Sequence, residues 1–356
     1  MLFSPLTLGE LELPNRLVMA PLTRVRAGSD GVPNDIMVEH YRQRASLGLI
    51  VSEGTFPAFE GQSYPGQPGL VTAEQVAGWK KVTDAVHADG GRIFAQVMHG
   101  GRVSHPDITG GRELVAPSAL AIDGDVRTPQ GKKPYPVPHA LTTDELPAVI
   151  QEFVTASRNA IDAGFDGVEL HSANGYLLHE FLDASSNVRT DSYGGSPENR
   201  ARFVIETVHA VVEALGANRV GIRISPEHQV QGIGETEVDE VQATYATLVD
   251  TIAPLNLAYL SVLHAETSGE LVKDLKSRFN GPYLLNSGFG EITTREEAMS
   301  LVEDGYADAV VVGRPAIANP DLARRWRESL PLNEPDPTTF YGEGAKGYTD
   351  YPFYAN

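Results

Sequence analysis

Residues 165–202, FDGVELHSANGYLLHEFLDASSNVRTDSYGGSPENRAR, decide the fold. The run 167–170 is short and wholly buried in character, which predicts a strand. His171, Asn174 and Tyr176 are then expected just past its end. After the Tyr193-Gly194-Gly195 turn, Ser196 with Glu198 and Asn199 supplies a helix start for a helix over 197–215. Strand, polar loop and helix together make one βα unit.

The same unit recurs along the whole chain. Strands are predicted at 17–20, 49–52, 92–97, 167–170, 220–224, 257–262, 283–286 and 309–312, separated by helical patterns at 35–47, 73–88, 143–162, 197–215, 237–251, 271–278, 294–304 and 320–328. Eight such repeats, none able to bury its own face, predict an α/β fold closed as a (β/α)8 TIM barrel. Residues 1–15, with leucines flanking Gly9-Glu10, read as an N-terminal β-hairpin plugging the barrel bottom. Residues 101–141 are rich in Gly and Pro and read as an elaborated loop after strand 3, in the manner of lids and binding loops. The aromatic tail after Leu330 is expected to dock back onto the barrel. No linker divides the chain, so 1–356 is read as a single domain.

Composition narrows the function. The formal net charge of −19 would repel phosphate backbones and anionic lipid, which argues against nucleic acid and membrane as partners. There is no cysteine, so disulfides, thiolate metal sites, cysteine-ligated iron–sulfur clusters and a cysteine nucleophile are excluded. No basic-then-apolar leader or spanning run occurs, and the reading is a cytoplasmic protein. Metal ligation is not expected either: His179-Glu180 begins like a zinc-protease motif, but Asp183 stands where the second histidine is needed.

Barrels of this type build their sites at the C-terminal ends of the strands. Those ends carry Pro21, Thr23 and Arg24; Ser52 to Thr55; Gln96 to Arg102; His171 to Tyr176; Arg223; Asn286, Ser287 and Gly288; and Gly313 and Arg314. Gly288 and Gly313 would let backbone N–H groups approach an anion, and Arg314 adds a guanidinium fork for phosphate. Tight turns alone would also account for both glycines. Gly288-Phe289-Gly290 lacks the third glycine of a dinucleotide fingerprint. Arg223 in GIRIS and Gln96 in FAQVM are polar groups inside apolar strands and need partners. A bound polar ring would satisfy both, and so would a structural ion pair for Arg223. His171 and Asn174 are spaced to hold one ligand oxygen, and the Tyr176 phenol can serve as an acid; a structural histidine fits the spacing too.

In combination, APLTR at 20–24, SEGT at 52–55, QVMHGGR at 96–102, ELHSANGYLLHEFL at 169–182, SSNVRTDSYGGSPENRARF at 185–203, GIRISP at 221–226, VVGRPAIANPDL at 311–322 and FYGEGAKGYTDYP at 340–352 resemble the Old Yellow Enzyme family of FMN-dependent ene-reductases. The resemblance implies a bound FMN contacted by Pro21, Thr23, Gln96 and Arg223 at its ring, with Ser287, Gly288, Gly313 and Arg314 at its phosphate. It further implies that NADPH or NADH is the reductant and that His171 and Asn174 hold the oxygen of an activated alkene (enone, maleimide or nitro compound). Tyr176 would protonate the α-carbon in a ping-pong cycle, with Tyr64, Met98 and Tyr351 as pocket walls. Thr23 and the lack of cysteine match the single-domain, threonine-containing branch, working as a monomer or homodimer. Met98 departs from close relatives that carry tryptophan there, which implies altered acceptance of bulky or nitro substrates. Two other readings stay open on the residues: a barrel enzyme for a phosphorylated metabolite using His171 and Tyr176 without flavin, and a flavoprotein that binds or senses without turnover.

Overall fold

The computed structural model describes residues 1–355. Eight parallel strands close into a barrel in the order in which they occur in the chain: Leu17–Met19, Leu49–Val51, Ile93–Val97, Gly167–Ser172, Val220–Ile224, Tyr259–Leu263, Tyr283–Asn286 and Ala309–Val312. Helices follow each strand and cover its outer face, as the alternation of patterns predicts. Local chemistry starts them. Ser196 accepts the Asn199 N–H ahead of helix Pro197–Leu215, and its apolar stripe of Phe203, Val204, Val208 and Val211 faces the sheet. Thr72 and Gln75 close a reciprocal capping box on helix Ala73–Ala88.

The N-terminal hairpin forms as expected, Leu6–Leu8 against Leu11–Leu13. Leu8 and Leu13 pack with Val18, Leu49, Phe94, Tyr259, Leu284 and Val311 as one cluster. At roughly 1.5–3 kcal/mol per buried leucine, this plug makes one end of the barrel an apolar core and leaves polar inward positions to the other. The segment after the third strand holds a short helix, Pro106–Thr109, the hairpin Asp125–Thr128 with Gly131–Pro134, and a short parallel pair, Val115–Ala116 with His139–Ala140.

Among the boundaries that differ from the sequence reading, three have a visible cause. The fourth strand continues to Ser172, so His171 lies inside the sheet, in register with Arg223, and not beyond its end. The helix expected over 35–47 stops at Arg42; two residues on, the Arg44 guanidinium is drawn inward onto the carbonyls of His40, Ala316 and Ile317. The helix expected from 143 begins at Leu146, because the Glu145 carboxylate gathers the Thr142 amide and hydroxyl and the His139 ring into a turn first.

The tail docks as predicted. Arg24 donates to the carbonyls of Phe340 at 3.0 Å and Gly347 at 2.7 Å. Arg26 reaches Phe340 at 2.9 Å and Thr339 at 2.8 Å. Tyr348 is buried and stacks on His40, with ring centres 3.8 Å apart. No helix among the described residues is long and apolar enough to cross a membrane.

Candidate active site

Above the apolar plug, the inward positions of the third to seventh strands change character. Gln96, Glu169, His171, Arg223, Ser261 and Asn286 are all buried there. Register places Glu169 opposite Gln96 on one side and Gly221 on the other, and Arg223 between His171 and Ser261. Gly221 is glycine for a local reason. A Cβ at that position would lie 2.5 Å from the ring of Tyr259, which crosses it to donate its hydroxyl to Glu169 at 3.1 Å.

Arg223 donates to Ser261 Oγ at 3.0 Å and to Asn286 Oδ1 at 3.3 Å, while its Nε has no partner among the described residues. It is therefore not in a direct structural ion pair. Burial pushes its pKa down and the nearby Glu169 charge holds it up. A buried cation with an unused donor in the floor of a cleft is a ligand-binding feature. Gln96 uses its amide nitrogen twice, toward Glu169 Oε1 at 2.8 Å and His171 Nδ1 at 3.1 Å, so its amide oxygen is the atom left to accept from a bound group.

One side wall is the loop leaving the fourth strand. Asn174 sits in the left-handed region at φ 58°, its amide donating to Ser225 Oγ and its carbonyl accepting from Gln231. Its side-chain Oδ1 is buried and unpartnered among the described residues. Gly175 N–H donates to Nδ1 of His179, whose other nitrogen meets Glu235 and Tyr245. His179 is fully buried and pins this loop. Tyr176 follows, its hydroxyl 2.6 Å from that of Tyr64. Burial raises its pKa against the opposing hydrogen bonds of Tyr64 and Gln231, so it is a protonated phenol at neutral pH. Burial, with Arg223 and His179 adding to it, holds His171 well below its ordinary 6.5. The ring is a neutral imidazole.

These groups open onto one cleft of about 370 Å³, lined also by Pro21, Thr23, Met98, Gly288, Gly313 and Arg314. Glu53 keeps the first strand's exit in place, accepting the Arg24 and Val25 amides at 3.2 and 3.3 Å. A Cβ added at Gly288, which sits at φ +94°, would meet no atom nearer than 3.4 Å, and one added at Gly313 would find Leu22 nearest, at 3.7 Å. Backbone at both is thus open to a ligand, and Arg314 stands beside them with its guanidinium on the Phe289 carbonyl. The unused Arg223 donor, the free Gln96 acceptor and this bare, cationic far end fit a ring at one end and a phosphate at the other, as FMN requires.

Residues 1–333 match the model of the NADH:flavin oxidoreductase / NADH oxidase family. The chain belongs to this family. It is the Old Yellow Enzyme family, and the chain is a flavin-dependent oxidoreductase of it. The chain is 44% identical over 361 residues to a probable flavin mononucleotide-dependent alkene reductase of Leishmania infantum, spanning 99% of this chain and 97% of that protein. Among solved structures it resembles morphinone reductase in complex with tetrahydroNAD, at 45% identity and a TM-score of 0.94, covering 100% of this chain and 98% of that one. The Old Yellow Enzyme homologue from Zymomonas mobilis, at 40% identity, gives a TM-score of 0.93 over 99% of both chains.

Within this Old Yellow Enzyme site, two expected residues are placed elsewhere. Tyr351 does not line the cleft: its hydroxyl accepts the Asp336 amide at 2.9 Å. The arginine straps at 339–347 instead bring Phe340 and Tyr341 to the cleft and carry Tyr351 past it. Ser287 does not face the cleft either, its hydroxyl meeting that of Thr293 at 3.2 Å, and Thr293 is the lining residue. Besides Thr293, Phe340 and Tyr341, sequence reading missed Glu169, Tyr259, Ser261 and Gln231. Glu169 carried a signal: a carboxylate inside an apolar strand, VEL, in a chain whose next strand buries an arginine.

Proposed function

We propose that the protein reduces activated alkenes with NADPH or NADH through bound FMN, in a ping-pong cycle in which both substrates use the same cleft in turn. The supporting observation is the convergence, over the Arg223–Gln96 floor, of a neutral imidazole, an amide and a protonated phenol. FMN, when bound, supplies the hydride chemistry, taking a hydride from the reduced nicotinamide and giving one to the β-carbon of the alkene.

Everything else is done by the chain. Arg223, a fixed cation in the cleft floor, would stabilise the negative charge that accumulates on the flavin when it is reduced, an electrostatic contribution that needs no reorganisation. Gln96 would offer its amide oxygen, Pro21 and Thr23 would border the ring, and Gly288, Gly313, Arg314 and Thr293 would hold the phosphate end. His171 and Asn174 donate to the carbonyl or nitro oxygen of the alkene, withdrawing electron density from the β-carbon. Tyr176 gives its proton to the α-carbon. Its anion is then stabilised by the Tyr64 hydroxyl already 2.6 Å away. Enones, maleimides and nitroalkenes share the oxygen acceptor that this pair requires. Met98, packed with Val103, Ile122 and Tyr176, sets how bulky the substituent is.

Purified protein should be yellow, or become so with FMN, and its bleaching by NADPH should be reversed anaerobically by N-ethylmaleimide. A protein that stays colourless with FMN would contradict the proposal.

A further inference from the structure

We infer that Glu169 is the positioning residue that decides which nitrogen of His171 carries the proton, acting through the side-chain amide of Gln96. The inference rests on the reading above, in which His171 donates to the substrate oxygen from its cleft-facing Nε2. Neutral imidazole has one N–H, and that proton can sit on either nitrogen. A donor at Nε2 clamps a carbonyl; a lone pair there repels it.

The chain of contacts leaves one arrangement. Glu169 is 1% exposed and does not line the cleft, so it touches no ligand itself. Its Oε2 receives the Tyr259 hydroxyl at 3.1 Å and its Oε1 the Gln96 amide nitrogen at 2.8 Å. An ionised carboxylate only accepts. Gln96 must therefore turn its NH2 group toward Glu169, since the reversed amide would set its oxygen against a carboxylate oxygen. The same NH2 group lies 3.1 Å from His171 Nδ1, and its second N–H points the only proton available to that contact. Nδ1 then accepts, and the imidazole proton is forced onto Nε2. Among the described residues Nδ1 has no other hydrogen-bond partner. Burial is the largest influence on Glu169 and raises its pKa, against the Arg223 charge and the Gln96 and Tyr259 hydrogen bonds; the carboxylate form that the relay requires is the one these three contacts hold. All members sit on barrel strands, the third, fourth and sixth, so the relay is held by the most rigid part of the fold.

A different role for Glu169, only balancing the Arg223 charge, would alter the flavin potential and leave the tautomer untouched. The deciding experiment is proton–nitrogen correlation NMR of FMN-loaded protein labelled at histidine nitrogen, with the His171 signals assigned by their loss in His171→Asn. Wild type should show Nε2–H with an acceptor Nδ1. Glu169→Gln, whose carboxamide lets Gln96 point either way, should show a substantial Nδ1–H population. Its Kd for phenol, read from the charge-transfer band, should rise about tenfold or more, the cost of an unsatisfied buried hydrogen bond. A wild-type Nδ1–H tautomer, or a Glu169→Gln protein that keeps both the Nε2–H form and wild-type phenol affinity, would overturn the inference. Should Glu169→Gln not fold, Gln96→Met removes the intermediate amide and should mix the tautomers likewise; an unmixed Nε2–H form there would overturn it as well. The tautomer is readable whether or not phenol binds. Absence of any phenol band in wild type therefore counts against the functional reading, and a wrong tautomer counts against Glu169.

Discussion

Replacing Tyr176 by phenylalanine should separate the two halves of the catalytic cycle. The ring is held by packing, with its centre 5.2 Å from that of His171 and with Met98, Val103 and Ile122 around it. The hydroxyl makes its shortest contact with Tyr64, which lies on the cleft and can turn to water once the partner is gone, and Gln231 keeps its bond to the Asn174 carbonyl. No buried group is orphaned, so folding should lose only about 0.5–1.5 kcal/mol, the net worth of one hydrogen bond. The alkene loses its proton donor. That should slow its reduction by roughly 10² to 10⁴, or about 2.7 to 5.5 kcal/mol of barrier. Reduction of the flavin by NADPH takes no proton from Tyr176 and should stay near wild type. Stopped-flow spectroscopy follows both half-reactions at the flavin absorbance. Equal slowing of both would refute the proton-donor role and make Tyr176 a residue that only shapes the cleft.

Three further outcomes are expected. Met98→Trp should narrow the cleft and depress reduction of bulky enones and nitro compounds relative to 2-cyclohexenone, because Met98 is buried against Gly54, whose Cβ would lie 2.5 Å from its sulfur; an unchanged substrate ranking counts against this. Arg26→Ala strips the Thr339 carbonyl of its donor and leaves Phe340 with Arg24 alone, which should cost about 3 kcal/mol in urea unfolding and raise amide exchange across 339–348; exchange as slow as in wild type would contradict the strap. Glu180 is buried, and burial holds its pKa up at about 8 against an ordinary 4.5. The folded state thus binds this proton more tightly than the unfolded one. Its contribution to stability is full below pH 4.5 and is lost as pH rises toward 8, at up to about 1.4 kcal/mol per pH unit. Glu180→Gln, which mimics the protonated form, should flatten that slope in urea titrations, and a slope identical to wild type would contradict it.

Most of the fold was legible because its signal is repetitive. The runs at 220–224, 283–286 and 309–312 coincide with strands Val220–Ile224, Tyr283–Asn286 and Ala309–Val312, since strands buried on both faces read as unbroken apolar segments. Local pattern misleads where tertiary contacts compete with it. His171 looked too polar for a strand, yet its pairing with Arg223 keeps it there. Arg44 belongs by propensity to a helix that ends before it. In the site, residues at strand ends could be read from their positions: Gln96, Arg223, Asn174 and Tyr176 do share one cleft. What could not be read is which group turns toward which. The tail's aromatics announced docking, but only the Arg24 and Arg26 straps decide that Phe340 and Tyr341 face the cleft while Tyr351 turns to Asp336. Glu169 was hidden for the same reason, its partners lying on strands 73 and 90 residues away in the chain.

The central claim is that this cleft passes reducing equivalents to an alkene and does not merely hold a flavin. Protein reduced with NADPH should be mixed anaerobically with 2-cyclohexenone while the flavin absorbance is recorded. The oxidised spectrum should return saturably and far faster than with free reduced FMN, with cyclohexanone formed in proportion to flavin. Reoxidation no faster than that of free FMN, with the protein still yellow and folded, would contradict it.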